Sequence, residues 1–538
     1  MSLITLLLAM LFGTGVPPAD PAVEKNASSA ASAEWNEERA AHLLRRAGFG
    51  GTPEQVKYLA SLGRDRAVEY LVDYESIPFE MPEPKIAAAP VVRPRIGRAD
   101  LDEEERRQLL VRFRMLSQLA FREISGWWIE RMIATPRPLE EKMVLFWHGH
   151  FTSGFREVNA ARPLYGQNQL FRRMAVGNFC DLTLEISRDT AMLLYLNNAQ
   201  NRKQKPNENF ARELLELFTL GAGHYTEQDI KEAARAFTGW TINPQDGGFF
   251  FAARQHDFGA KTFMGRSGNF DGEEIIAIIF QQPAASQHLV RKLWTYFAGT
   301  EIPSAELERL SRLFRAEDYE LRPLLKAMFH SEGFYAADVM HQQVKCPVDL
   351  VVGTIRMLEV VPEDTLALTS ALRMMGQELF QPPNVKGWDG GLTWINTASL
   401  FNRYNLLAYV VYGTPQRPKE LTRRLADAEQ MMNQMQEIDP QLAAMGDYMM
   451  DPAELLRHQP PFDPAPLLRR HKLERPEKIV DHFVQRLLQR KISPSRRKVL
   501  IDELKRVGGK LEPGTPETIE AVRGVIHLIL SMPDYQLG

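Results

Sequence analysis

Residues 207–240 read NENFARELLELFTLGAGHYTEQDIKEAARAFTGW, and their spacing decides the class of fold. Phe210, Leu214 and Leu217 recur at three- and four-residue steps, and Leu215 and Phe218 widen the stripe. That is the period of an amphipathic helix, not of a strand. Asn207 stands where a cap belongs, and Glu208 and Arg212 can pair one turn apart. Gly221 and Gly223 close the helix, and Thr226 with Asp229 opens the next in the manner of a capping box. Opposite the apolar stripe lie Asn209, Glu213 and Glu216, an amide and two carboxylates on one face. Exposed, they form a solvated face. Buried, like charges this close raise one pKa or require a cation.

The same period runs outward in both directions. Leu43 and Leu44 mark an early helix that ends at Gly48, Gly50 and Gly51, and Thr52-Pro53-Glu54 opens another. From Asp102 to Trp147 the steps Phe121, Ile124, Trp128 and Met132 are helical, with Pro136 and Pro138 interrupting. Residues 163–220, 273–300, 304–316 and 320–330 follow suit. Strand signals are sparse, and WTINPQDGGFFFAAR (240–254) is the best case for a short hairpin. The expected fold is mainly α: a multi-helix orthogonal bundle with at most a short β-hairpin, plus a C-terminal helical unit.

Chain punctuation suggests the domain plan. Five prolines within residues 77–96 mark an exposed connection. Residues 413–475, rich in Pro, Gln and Met, read as a linker with one polar helix. The main helical domain then spans 35–412 and the C-terminal unit 476–538. At the other end, Leu3 to Phe12 is an apolar run too short to cross a bilayer, followed by small residues. It fits a signal peptide over 1–20, although no basic residue precedes it, with a flexible leader over 21–34. Export to the periplasm or beyond is the expectation, with no transmembrane segment later in the chain.

A formal net charge of −3 over 538 residues gives no electrostatic reason to expect nucleic acid or an anionic membrane as partner. Two cysteines, Cys180 and Cys346, allow one bridge or two buried thiols. P-loop, H-E-x-x-H, G-x-S-x-G and C-x-x-C patterns are all absent from the sequence.

Three further stretches carry candidate chemistry. In FWHGHFTSG (146–154), His148 and His150 can share a ligand only if the helix has ended by Gly149, because residues i and i+2 point apart on a helix. Otherwise they hydrogen-bond helix-end carbonyls among aromatic rings. HDFGAKTFMG (256–265) offers His256 and Asp257 as ligands or an acid/base pair, with Lys261 as a fixed charge; an ordinary polar turn is the alternative. QPPNVKGWDGGLTWINTASLFNRYN (381–405) crowds Trp388 and Trp394 beside Asn396 and Arg403, with Thr397 as a candidate helix cap. Such a loop suits a sugar or peptide platform, or is simply pinned by buried tryptophans.

Together these stretches resemble the bacterial family called domain of unknown function 1800, from HLLRRAGFGGT near residue 42 to LILSMPDYQ at the end. The resemblance implies a helical, exported protein without a settled activity. It carries over His148, His150, Asn209, Glu213, Glu216, His256, Asp257, Lys261, Trp388 and Arg403 by motif. It also implies a neighbouring partner from domain-of-unknown-function family 1501, which resembles alkaline-phosphatase-like hydrolases.

Two functions compete. One is a metal-dependent enzyme acting on an envelope or extracellular polymer, hydrolysis before redox chemistry. His148, His150, His256 and Asp257 would hold a divalent metal ion. Glu213 or Glu216 would act as base, with Lys261 or Arg403 stabilising developing charge. Asn209, Trp388, Trp394 and Asn396 would grip the substrate. The other is a non-catalytic helical module that binds a polymer or the hydrolase-like partner through its tryptophans.

Overall fold

The computed structural model describes residues 34–88, 102–413 and 458–538. The signal-peptide and most of the leader assignments (residues 1–33), the second half of the Pro-rich connection and most of the Met-rich linker lie outside them.

The chain is built from helices that pack around one another, as the periodicity requires. Helix Glu37–Arg46 is capped by Asn36, and helix Pro53–Leu62 by a full Thr52–Gln55 capping box. The long helix Glu103–Ala134 ends before Pro136, and Pro138 opens helix Pro138–His150. Ala465–Arg470, at the end of the linker, carries Pro466 in its first turn, and three prolyl starts shape the C-terminal unit: Pro476–Leu488, Pro494–Lys505 and Pro516–Leu530. At each of these the ring's fixed φ suits the first helical turn.

Apolar residues from Ala40 to Tyr535 join one continuous core, with Trp128, Trp147 and Trp294 wholly enclosed. The C-terminal unit contributes Val522, Ile526 and Ile529 to it and is also tied by polar contacts. Arg486 donates to Met357 O at 2.8 Å, and the Tyr535 and Thr354 hydroxyls lie 2.7 Å apart. Val411 O accepts from Phe462 N at 3.1 Å, so the described ends of the Met-rich stretch are neighbours. Cys180 and Cys346 are free thiols.

Two small antiparallel sheets interrupt the helices. Trp240–Ile242 pairs with Phe249–Phe251, where the hairpin was expected. A second hairpin pairs Lys261–Phe263 with Arg266–Gly268, where the sequence offered a site loop or an ordinary polar turn. Its Gly265 and Met264 both sit at positive φ, the backbone signature of a tight primed turn. The Pro-rich connection is less exposed than its composition suggested: Trp127 Nε1 donates to Pro82 O at 2.8 Å, and Ile86 is buried. Among the described residues, no helix is long and apolar enough to cross a membrane.

Candidate functional site

The helix Pro138–His150 does not stop at Gly149; His150 is its last residue. His148 and His150 therefore point to different sides, and they do not share a ligand. His148 lies among Trp128, Phe171 and Phe380, its Nε2 3.1 Å from the Asn168 amide. Burial and the Arg172 guanidinium push its pKa down to about 3. His150 donates through Nε2 to Phe218 O at 3.0 Å.

Phe218 belongs to the second predicted motif, and here the helix changes pitch. After Asn209–Glu213 the chain makes a π-helical turn, Leu214–Thr219, before Gly221 leaves at φ +84. Widening leaves carbonyls at the C-terminal end without helical partners. Three side chains reach them: His150 at Phe218 O, His288 at Leu217 O (2.9 Å) and Lys292 at Leu217 O (3.3 Å). His288 and Lys292 come from helix Pro283–Ala298, one turn apart.

These groups form one wall of a cavity of about 510 Å³. Helix Pro138–His150 supplies Lys142, Phe146 and Gly149 to it, and helix Pro283–Ala298 supplies Arg291 and Tyr296. The opposite wall is the loop carrying Lys386, Trp388, Asp389 and Trp394. The FWHGHF helix and this loop meet through their backbones: a Cβ on Gly387, at φ +86, would collide with Gly149 O, and Trp388 lies over Gly149. Thr152 Oγ1 donates to Val385 O at 2.7 Å and locks the same junction.

The lining is cationic. Lys142, Arg291, Lys292 and Lys386 face only Asp349 and Asp389 as carboxylates. Lys142 is paired with Asp349. Among the described residues Lys292 has no ion pair, and burial alone lowers its pKa to about 8. His288 stays neutral, pushed to about 4 by burial and by Lys292. Cys346 also lines the cavity, but burial raises its thiol to about 12, and its sulfur caps helix Pro347–Leu358. It is not poised as a nucleophile.

FWHGHF and PPNVKGW thus meet at the cavity, and NENFARELLELFTLG backs it through the carbonyls of Leu217 and Phe218 without lining it. HDFGAKTFMG does not line the cavity. Asp257 forms a salt bridge with Arg235 at 2.7 Å, which holds its carboxyl low. His256 donates through Nδ1 to Thr238 O at 2.8 Å, and Lys261 Nζ donates to Asp257 O and Gly259 O. These groups fix a loop against helix Glu227–Ala236. Among the described residues no three His, Cys, Asp or Glu side chains are grouped to hold a metal ion. The four expected ligands are dispersed over three separate hydrogen-bonding environments, and they do not fit a shared metal.

Other candidates have structural partners. Asn396, not Thr397, caps helix Thr397–Tyr412 through a capping box with Ser399. Buried Arg403 donates to Lys345 O at 2.7 Å and Gln536 Oε1 at 3.1 Å, binding the C-terminal unit away from the cavity lining. Asn209 Nδ2 donates to Leu196 O at 3.2 Å. Glu213 is half-buried, and burial and Glu216 raise its pKa while Arg212 and Lys386 pull against them. Glu216 accepts from the Tyr225 hydroxyl at 3.0 Å.

The motifs that meet here lie inside the stretch matched by a family model. The model described as Protein of unknown function (DUF1800) matches residues 42–537. The chain belongs to this family. No curated protein and no solved structure matches it significantly. For this DUF1800 chain, sequence reasoning missed Arg291, Lys292 and His288. Their signal was a polar stripe at i, i+3 and i+4 in PAASQHLVRKLWTYFA, which also suits an ordinary solvated face.

Proposed function

We propose that this DUF1800 chain is an exported ligand-binding protein whose cavity takes an organic anion with an aromatic or apolar body. One observation carries the reading: Lys292, half-buried and without an ion pair among the described residues, lies in a cavity walled by Trp388 and Trp394. A partly desolvated cation without a counter-charge is destabilised, and an anionic ligand relieves that cost. The rings of Phe146, Tyr296, Trp388 and Trp394 beside four cations, in a cavity of this size, suit a small organic anion. The apolar run from Leu3 to Phe12 supports export.

Calorimetric titration with naphthalene-1-sulfonate and with uncharged naphthalene tests it. The wild type should bind the sulfonate more tightly, and Lys292→Met should erase the preference. Equal binding of both probes by the wild type would sink the reading.

A second reading keeps hydrolysis of an envelope polymer. Glu213 favours it, as a carboxyl raised by burial beside Glu216 and near Lys386, the arrangement of a general acid. Here a family 1501 partner would deliver or take over the polymer. Glu213→Gln should then abolish turnover of an envelope extract while sulfonate binding persists.

A further inference from the structure

The hairpin Trp240–Ile242/Phe249–Phe251 exposes what a folding core would hide. Phe249, Phe250 and Phe251 are 36, 50 and 40% exposed, and Phe258 beyond them is 59% exposed. Phe249 and Phe251 share one face of the strand and Phe250 points from the other. The patch is continuous: Phe251 packs edge-on against His256 at 5.2 Å, and His256 against Phe258 at 4.6 Å. His256, a ligand candidate by sequence, is thus the buried prop between two exposed rings.

Cations border the same edge. Lys203 N donates to Gln255 O at 2.8 Å, which sets the exposed turn Arg202–Lys205 beside Arg254. Arg202, Lys203, Lys205 and Arg254 have no ion pair among the described residues. The nearby carboxylates are committed elsewhere. Asp246 takes Gly248 N and Asn243 Nδ2 in the hairpin turn, and Asp257 is held by Arg235.

We propose that this edge docks on an anionic lipid surface, with the phenylalanine rings entering the interface and the four cations meeting headgroups. Aromatic side chains ringed by Lys and Arg match the two halves of an interfacial site, apolar insertion and charge attraction. The rings are on both faces of one strand, so the hairpin enters by its edge. The site does not involve the cavity, and its failure leaves the ligand-binding reading intact.

The test is co-sedimentation of the full chain with vesicles of phosphatidylcholine alone or mixed with phosphatidylglycerol. Binding should require phosphatidylglycerol and weaken with salt. Phe250→Asp/Phe258→Asp should lower it at least tenfold. Lys203→Glu or Arg254→Glu should each lower it by roughly fivefold or more. Both sets alter exposed side chains, and an unchanged melting curve confirms that the variants fold. Three results overturn the proposal: no pelleting with charged vesicles, equal pelleting with neutral ones, or binding unaffected by the phenylalanine variants. A dimer that Phe250→Asp dissolves, without vesicle binding, would make the patch a self-association surface instead.

Discussion

His150 Nε2 lies 3.0 Å from Phe218 O, closing the C-terminal end of the π turn from a neighbouring helix. The imidazole is wholly buried and held neutral by burial, Lys292 and His288. Its conspicuous position in FWHGHF is therefore explained by backbone satisfaction rather than coordination. His150→Ala should destabilise the protein by about 1–3 kcal/mol, from an orphaned carbonyl and a small cavity. Urea denaturation measures it, and His150→Gln should recover part of the loss. Metal ligation predicts something different: loss of bound metal on His150→Ala, seen by elemental analysis.

Glu141 marks the limit of what sequence could show. It is fully buried and accepts from Trp128 Nε1 (2.9 Å), Arg131 Nε (2.6 Å) and Arg172 Nε (2.6 Å). Burial pushes its carboxyl up, but the Arg172 and Arg131 guanidiniums prevail and hold it below the ordinary value. Removing one member of such a network strands buried charge. Glu141→Gln should cost ~3–5 kcal/mol in denaturant, well above the effect at His150.

Helices were legible because Phe210, Leu214 and Phe218 keep a regular step, and their caps because Thr52 and Thr226 precede the right partners. The convergence of FWHGHF with PPNVKGW was legible only as an abundance of Gly and Trp. That Gly387 abuts Gly149 is a tertiary fact. Glu141 looked like any acidic residue in a first helical turn, and local spacing does not encode which side of a helix is buried. His256 and Asp257 misled for the same reason: adjacent in sequence, they serve Thr238 and Arg235.

Acid should unfold the protein through its imidazoles. His148 and His341 are held at about 3 and His288 at about 4, chiefly by burial, against an ordinary 6.5. Between pH 6.5 and those values the unfolded chain binds protons that the folded chain refuses, so stability falls as pH falls. Asp189 opposes this, because burial raises it to about 6 and the folded chain is protonated first. The lowered imidazoles, with His42, His150 and His482 among them, outnumber the raised carboxyls Asp189, Glu140, Glu213 and Glu378. Denaturant titrations from neutral pH to about pH 5 should show a falling midpoint, and His341→Gln should flatten the slope.

Ligand binding should titrate in the other direction. Lys292 is cationic below about 8 and neutral above it. Affinity for naphthalene-1-sulfonate should hold at neutral pH and decline as pH rises through about 8. In Lys292→Met that step should vanish. Calorimetry across the range reads both effects, and a step surviving in Lys292→Met would assign it to another group.

Gly387 tests whether the cavity depends on the loop that carries Trp388. Its φ of +86 lies in the left-handed region, and a Cβ there would run into the Gly149 carbonyl. Backbone on both sides leaves neither partner free to yield. Gly387→Ala should therefore displace the loop, cost ~2 kcal/mol or more, and weaken sulfonate binding along with it. Gly390→Ala is the control: it too has positive φ (+76) but meets nothing within 4 Å, so it carries the conformational strain without the collision. If both variants lose binding equally, loop flexibility rather than contact with Gly149 sets the cavity wall. If only Gly387→Ala loses it, the apposition of these two glycines holds the tryptophan in place.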